Sequence, residues 1–119
     1  MSGRTVFTDF LKEQMAGFGP VSVKRMFGGA GIYRDGLMFA LVADDVLYLK
    51  ADDASRAGFE AERLGPFVYE AKGGKKAVMS YWRAPERCLD DPDEMAAWCR
   101  IAYAAALKAA KAKPVKRKR

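Results

Sequence analysis

Hydrophobic residues repeat along this chain with two different periods, and the change from one period to the other predicts the order of its helices and strands. Near the N terminus a spacing of three to four positions predicts a helix from about Thr5 to Phe18, with its large apolar side chains on one face: Phe7, Phe10, Leu11, Met15 and Phe18. From Val21 to Phe27, apolar and polar residues alternate instead, which is typical of a half-buried strand.

The middle of the chain predicts a series of antiparallel strands. Asp35-Gly36 lies between the predicted strand segments 32–34 and 37–42, and this dipeptide favours a type I′ hairpin turn because both central residues need positive φ. Asp44-Asp45 then precedes another strand, residues 46–50. Together with the segment from Val21, four adjacent strands are predicted.

A short helix and a second hairpin follow. Asp52 or Asp53 caps a short middle helix that ends at Gly65-Pro66. Residues 67–71 and 76–82 predict two strands joined by a turn, Lys72-Gly73-Gly74-Lys75.

The last predicted element is a long helix. Asp91-Pro92-Asp93-Glu94 places a capping acid, a proline and a glutamate where a helix begins, and the helix should reach about Lys111. Strands grouped between helices at both ends predict an α+β domain.

Composition argues against an enzyme. The 119 residues include no histidine, which removes the commonest general base and the commonest neutral metal ligand. Cys88 and Cys99 have no partners at metal-binding spacing and are expected to be buried hydrophobic residues. We therefore expect no catalytic residue, no cofactor and no metal.

The charge of the chain is concentrated at its C terminus. The formal net charge is +6, yet residues 1–107 hold all 15 acidic residues and are nearly neutral. We expect a folded domain over residues 1–107 and a basic tail over residues 108–119 that begins helical and ends disordered. Nonspecific binding of DNA or RNA competes with mere solubilisation as the role of the tail cations, which are Lys108, Lys111, Lys113, Lys116, Arg117, Lys118 and Arg119.

Three internal features allow both a functional and a structural interpretation. Gly28-Gly29-Ala30-Gly31 lacks the spacing of a phosphate-binding loop, so a bulge or close backbone packing is favoured; a small-molecule enzyme or sensor would need a pocket beside it. The basic and aromatic segment from Lys72 to Arg83, with Tyr69 beside it, could bind single-stranded nucleic acid, although core packing of Tyr69, Tyr81 and Trp82 is favoured. The acidic residues between Glu86 and Glu94 suit a helix start better than a cation site.

A family resemblance rests on the segment from Arg25 to Tyr33. Its pattern, with the later segments Leu47-Tyr48-Leu49-Lys50 and Met79-Ser80-Tyr81-Trp82, resembles the bacterial TfoX N-terminal domain family over about residues 5–107. The motif residues are Arg25, Met26, Phe27, Gly28, Gly29 and Gly31. The resemblance implies a fold similar to secretion-chaperone-like domains, with a curved antiparallel sheet of about five to six strands and flanking helices.

The resemblance also implies a role. Full-length members regulate natural competence as coactivators with the cyclic-AMP receptor protein, and they carry a second, C-terminal domain that would begin near Lys108. We expect a cytoplasmic, non-enzymatic regulatory or adaptor domain that binds a protein partner, with no membrane segment; whether it forms a homodimer stays open. The alternative is a protein that binds nucleic acid directly through the segment from Lys72 to Arg83.

Overall fold

Three α-helices and six strands form an α+β domain in the computed structural model, which describes residues 3–26 and 28–112. The helices are α1 (Gly3–Gln14), α2 (Asp53–Ala61) and α3 (Pro92–Ala112), and a short 3₁₀ helix covers Glu86–Leu89. The strands are β1 (Ser22–Met26), β2 (Gly29–Arg34), β3 (Leu37–Ala43), β4 (Val46–Lys50), β5 (Pro66–Ala71) and β6 (Gly74–Arg83). The predicted fold class is confirmed.

All six strands belong to one antiparallel sheet in the order β1-β2-β3-β4-β6-β5. The four adjacent strands predicted between Val21 and Lys50 are therefore confirmed. The second hairpin joins the sheet through β6, which lies beside β4 and leaves β5 at the edge. Its turn is tighter than predicted, because Gly74 already pairs with Ala71 and only Lys72 and Gly73 remain in the turn.

The two central hairpins use the same kind of turn. Asp35 and Gly36 have φ values of 51° and 79°, as the predicted type I′ turn requires. Asp44 and Asp45 also have positive φ values, 52° and 59°, although neither is glycine. The second turn therefore holds two side-chain-bearing residues in a conformation that glycine adopts at lower cost.

Helix α2 begins as predicted and ends earlier. The Asp52 carboxylate accepts a hydrogen bond of 2.8 Å from the Ser55 amide, and the Ser55 hydroxyl accepts one of 3.0 Å from the Asp52 amide. At the other end Arg63 has a φ of 62°, and the Leu64 amide donates to the Phe59 carbonyl. The helix thus ends in a Schellman motif rather than at Gly65-Pro66.

Helix α1 ends earlier than predicted, and not all of its large apolar residues are buried. The helix ends at Gln14, although a hydrogen-bonded turn brings the Phe18 amide to the Met15 carbonyl. Met15 and Phe18 are buried as predicted, whereas Phe10 remains 37% exposed and stacks on Phe7. Five apolar residues span too wide an arc for all of them to face the sheet.

Helix α3 runs past the predicted domain boundary at residue 107. The Asp91 carboxylate accepts a hydrogen bond of 2.9 Å from the Asp93 amide, which confirms the predicted N-cap. Lys108 and Lys111 lie on the last turns of the helix, and the Lys108 ammonium lies 3.1 Å from the Asp52 carboxylate. Residues 113–119 lie outside the described residues.

One face of the sheet is covered by all three helices. Leu11 of α1, Phe59 of α2 and Met95 of α3 belong to the same buried cluster as the sheet residues Ile32, Phe39, Leu49 and Trp82. Phe39 reaches this cluster because the register between β2 and β3 shifts beside it, and its ring lies 5.1 Å from that of Phe18.

The two cysteines lie on the covered side, where both are buried and free, as expected from the sequence. Burial raises the pKa of the Cys88 and Cys99 thiols to about 12. A thiol with such a pKa is inert at neutral pH, so neither cysteine has the properties of a catalytic nucleophile.

Candidate binding groove

The opposite face of the sheet carries none of the described helices, and we call it the uncovered face. One row of register partners crosses it from β1 to β6: Lys24, Gly31, Leu41, Tyr48 and Arg83. Cross-strand partners point to the same side of a sheet, so this row places apolar side chains in the middle and a cation at either end.

The sheet curls around the uncovered face and encloses a groove of about 520 Å³. Leu41 of β3 and Met26 of β1 line one side of the groove, and Phe67 and Tyr69 of β5 line the other. Because β4 and β6 separate β3 from β5 in the sheet, residues of β3 and β5 can share a groove only if the sheet is strongly curved. The groove therefore agrees with the curved sheet that the family resemblance implies.

Three residues of the family motif lie at this groove or beside it. Met26 and Gly29 line it, and Gly28, whose φ is 78°, lines an adjoining recess. Arg25 pairs with Ala30, a core residue, and so lies on the other side of β1. Phe27 lies outside the described residues. The pocket that a small-molecule enzyme or sensor would need beside these glycines is therefore present.

The glycines of β2 are needed because other atoms occupy the space of a side chain. A Cβ on Gly29 would collide with the Val42 carbonyl oxygen of the neighbouring strand. A Cβ on Gly31 would lie 3.0 to 3.1 Å from the side chains of Met38, Tyr33 and Met26, which fold over it. The prediction of close backbone packing is confirmed at Gly29, which lies within β2 rather than in a connection between two strands.

Aromatic rings form the wall of the groove at β5. The Phe67 ring lies 4.9 Å from that of Tyr48 and 6.1 Å from that of Tyr69, to which it is nearly parallel. Tyr69 is 45% exposed, so its ring is available to a ligand. Methionine and aromatic side chains are common at surfaces that adapt to a bound partner.

The aromatic residues of the segment from Lys72 to Arg83 are largely unavailable. Trp82 is buried in the helix-covered core, and its indole N–H donates to the Met79 carbonyl at 2.9 Å. Tyr81 points to the uncovered face but is buried under the Lys50 ammonium, 5.0 Å from the ring centre, and burial raises its pKa to about 12. The favoured core packing is therefore confirmed for Trp82, whereas Tyr81 is buried on the uncovered face and Tyr69 is exposed.

Charges are segregated between the sheet and the rest of the domain. The six strands contain one acidic residue, Glu70, and seven basic ones: Lys24, Arg25, Arg34, Lys50, Lys75, Lys76 and Arg83. Glu70 and Asp44 border the groove and its adjoining recess, as does Lys75. The near-neutral body of the chain therefore has a cationic sheet.

The other candidate residues lie away from the groove. Of the tail cations, Lys108 and Lys111 are on α3, and the rest fall outside the described residues. Among the acidic residues near α3, Glu94 binds the Arg87 guanidinium, which also binds Glu62. Within the described residues no group of three side chains could hold a metal ion, and no helix is long and apolar enough to cross a membrane.

The family model of the TfoX N-terminal domain matches residues 13–106. The chain belongs to this family. No curated protein matches the sequence. The matched range contains all six strands of this TfoX N-terminal domain and the whole groove, and it leaves out most of α1 and the basic tail.

Sequence reasoning found part of this site. It singled out Met26 and the glycines as a motif and Tyr69 as an aromatic residue near lysines, but it did not bring them together. It did not identify Leu41 and Phe67 as site residues, because β3 is apolar throughout and its register shift breaks the simple alternation of faces. The excess of cations in the strands was also present in the sequence as a usable signal.

Proposed function

We propose that this TfoX N-terminal domain is a non-enzymatic regulatory or adaptor domain that binds a protein partner in the groove of its uncovered face. The observation that carries the proposal is the open apolar groove between Met26 and Leu41 on one side and Phe67 and Tyr69 on the other. Open grooves with apolar and aromatic walls are typical of surfaces that bind other molecules. A cytoplasmic location is part of the proposal, supported by the two free cysteines.

The family resemblance supplies the first partner to test. We propose a transcription regulator such as the cyclic-AMP receptor protein, and with it a role in the control of competence-like genes. The test is a titration of fluorescently labelled cyclic-AMP receptor protein with the full chain, read by anisotropy with and without cyclic AMP.

Two variants assign any binding to the groove. Tyr69→Arg places a charge on the exposed groove wall, whereas Met79→Arg changes a residue of β6 that is 48% exposed, against 45% for Tyr69, and does not line the groove. Binding that is lost in Tyr69→Arg and kept in Met79→Arg supports the proposal. Equal binding by both variants contradicts it.

A second proposed activity belongs to the basic tail, which we propose binds nucleic acid without sequence preference. Seven cations without an intervening acid support it, because each phosphate contact releases counterions from DNA. The test compares binding of duplex DNA at two salt concentrations by the full chain and by a variant with glutamine at the cationic positions of residues 113–119. This design keeps α3 and the Lys108–Asp52 ion pair intact, which a chain ending at Leu107 would not. Equal affinity of the two chains contradicts the tail's role.

A further inference from the structure

The charge and shape of the uncovered face identify the kind of segment that fits its groove. The groove floor and walls are apolar, with Met26, Leu41 and Phe67 half-buried around an open space of about 520 Å³. A space of that size accommodates two or three apolar side chains.

Cations flank this apolar space on both sides. Lys24 of β1 lies at one end of the row that crosses the uncovered face, and Arg83 of β6 lies at the other end; both lie outside the lining of the groove. Lys76 is the register partner of Tyr69, so it lies on the same face as the exposed groove wall. No acidic residue is a register partner in this row. Two carboxylates border the site: Glu70 lines the groove, and Asp44 lines the adjoining recess with Glu70 and Lys75.

We propose that the groove binds an acidic peptide segment of a partner protein, with apolar side chains in the groove and carboxylates on the flanking lysines and arginine. This inference rests on the proposed function and adds the chemistry of the partner. Complementary charge steers such a segment toward the face and selects against basic ones, while the apolar anchors supply most of the affinity.

A nucleic-acid single strand fits the same face less well. Bases need open ring faces on which to stack. Lys24 lies over the Tyr33 ring at 5.5 Å, Lys50 lies over the Tyr81 ring, and of the rings on this face only Tyr69 is largely exposed among the described residues. Apart from the half-buried Phe67 ring and Glu70, the rest of the groove is lined by glycine, aliphatic and methionine residues, which apolar peptide side chains match better than bases.

The test uses three probes with the full chain. The first is a short fluorescein-labelled peptide in which leucine and phenylalanine alternate with pairs of glutamate. The second peptide carries lysine at every glutamate position, and the third probe is labelled oligo-dT of similar extended length. We expect the acidic peptide to bind at least about tenfold more tightly than the lysine peptide, with an affinity that falls as salt is added.

Matched variants assign the binding to the groove. Tyr69→Ala should weaken binding of the acidic peptide about tenfold, and Met79→Ala, at equal exposure, should leave it unchanged. Lys76→Glu should weaken it by several-fold and reduce its salt dependence, whereas the same change of charge at Lys111, on α3, should have little effect.

Each other outcome overturns the inference in a distinct way. Equal binding of both peptides, lost in Tyr69→Ala, would overturn the preference for acid but leave the groove as a binding site. Tighter binding of oligo-dT than of either peptide, lost in Tyr69→Ala, would replace the peptide by a nucleic-acid strand. Binding of the cyclic-AMP receptor protein through Tyr69 with no binding of the acidic peptide would overturn this inference and leave the proposed function standing.

Discussion

The two faces of the sheet are built from the same strands and differ in almost everything else. On the covered face Ile32, Phe39 and Leu49 are fully buried beneath three helices. On the uncovered face Leu41 and Tyr48 are only half-buried, and lysines lie over tyrosine rings instead of helices. The covered face therefore stabilises the fold, whereas the uncovered face stays accessible. Its apolar residues are partly shielded by the curvature of the sheet and not by a second layer.

Neighbouring positions of β3 should show this difference most strongly. Phe39→Ala should lower the free energy of unfolding by about 3–5 kcal/mol, because it leaves a cavity between the sheet and the helices. Leu41→Ala, on the other face, should cost only about 1 kcal/mol, because its side chain is already half in water. Urea denaturation of both variants measures the comparison, and equal losses would show that the two faces contribute alike.

The glycines of β2 should limit how far the uncovered face tolerates change. Gly29→Ala forces a methyl group against the Val42 carbonyl, so we expect a loss of about 2 kcal/mol or more. Gly31→Ala meets the ends of flexible side chains, Met26 and Met38 among them, and should cost about 1 kcal/mol or less. Thermal unfolding of the pair decides this, and a larger loss at Gly31 would contradict the packing described above.

Alkaline pH should destabilise the folded chain, in part through the two buried cysteines of the covered side. The folded chain keeps the Cys88 and Cys99 thiols protonated, with the pKa raised from 9.0 to about 12. Their stabilising effect is fully present below pH 9 and is lost as the pH rises toward 12, because only the unfolded chain then releases the protons. The slope should approach about 1.4 kcal/mol per pH unit for each thiol. A variant with alanine at both positions should show a shallower decline in urea midpoint above pH 9, and an unchanged decline would refute the assignment.

The smallest effect should come from a turn beside the groove, and it is stabilising. Asp45→Gly relieves a positive φ in the β3–β4 turn and should raise the free energy of unfolding by about 0.5–1 kcal/mol. Asp53→Gly is a suitable control: this aspartate lies in the first turn of α2, so glycine there should lower the free energy of unfolding. Peptide binding should stay unchanged in Asp45→Gly, which would separate the stability of the fold from the function of the face.

Local signals in the sequence were enough for most of the elements. Asp35-Gly36 specified its turn, Asp52 and Asp91 specified the starts of two helices, and alternation specified the strands, because each depends on residues a few positions apart. Expectations failed where a local signal was overridden. Arg63 ended α2 before the glycine and proline that follow it, and Phe10 stayed exposed because Leu11 and Met15 already defined the packed stripe of α1.

The sequence by itself determined the α+β class, the family motif and the excess of basic residues in the strands. Only the tertiary structure decided that β6 lies next to β4, that the sheet curls, and that Met26, Leu41 and Tyr69 therefore share one groove. The physical reason is that a turn or a cap is chosen by its own few residues. Strand order and curvature depend instead on how segments far apart in the chain bury their apolar faces together.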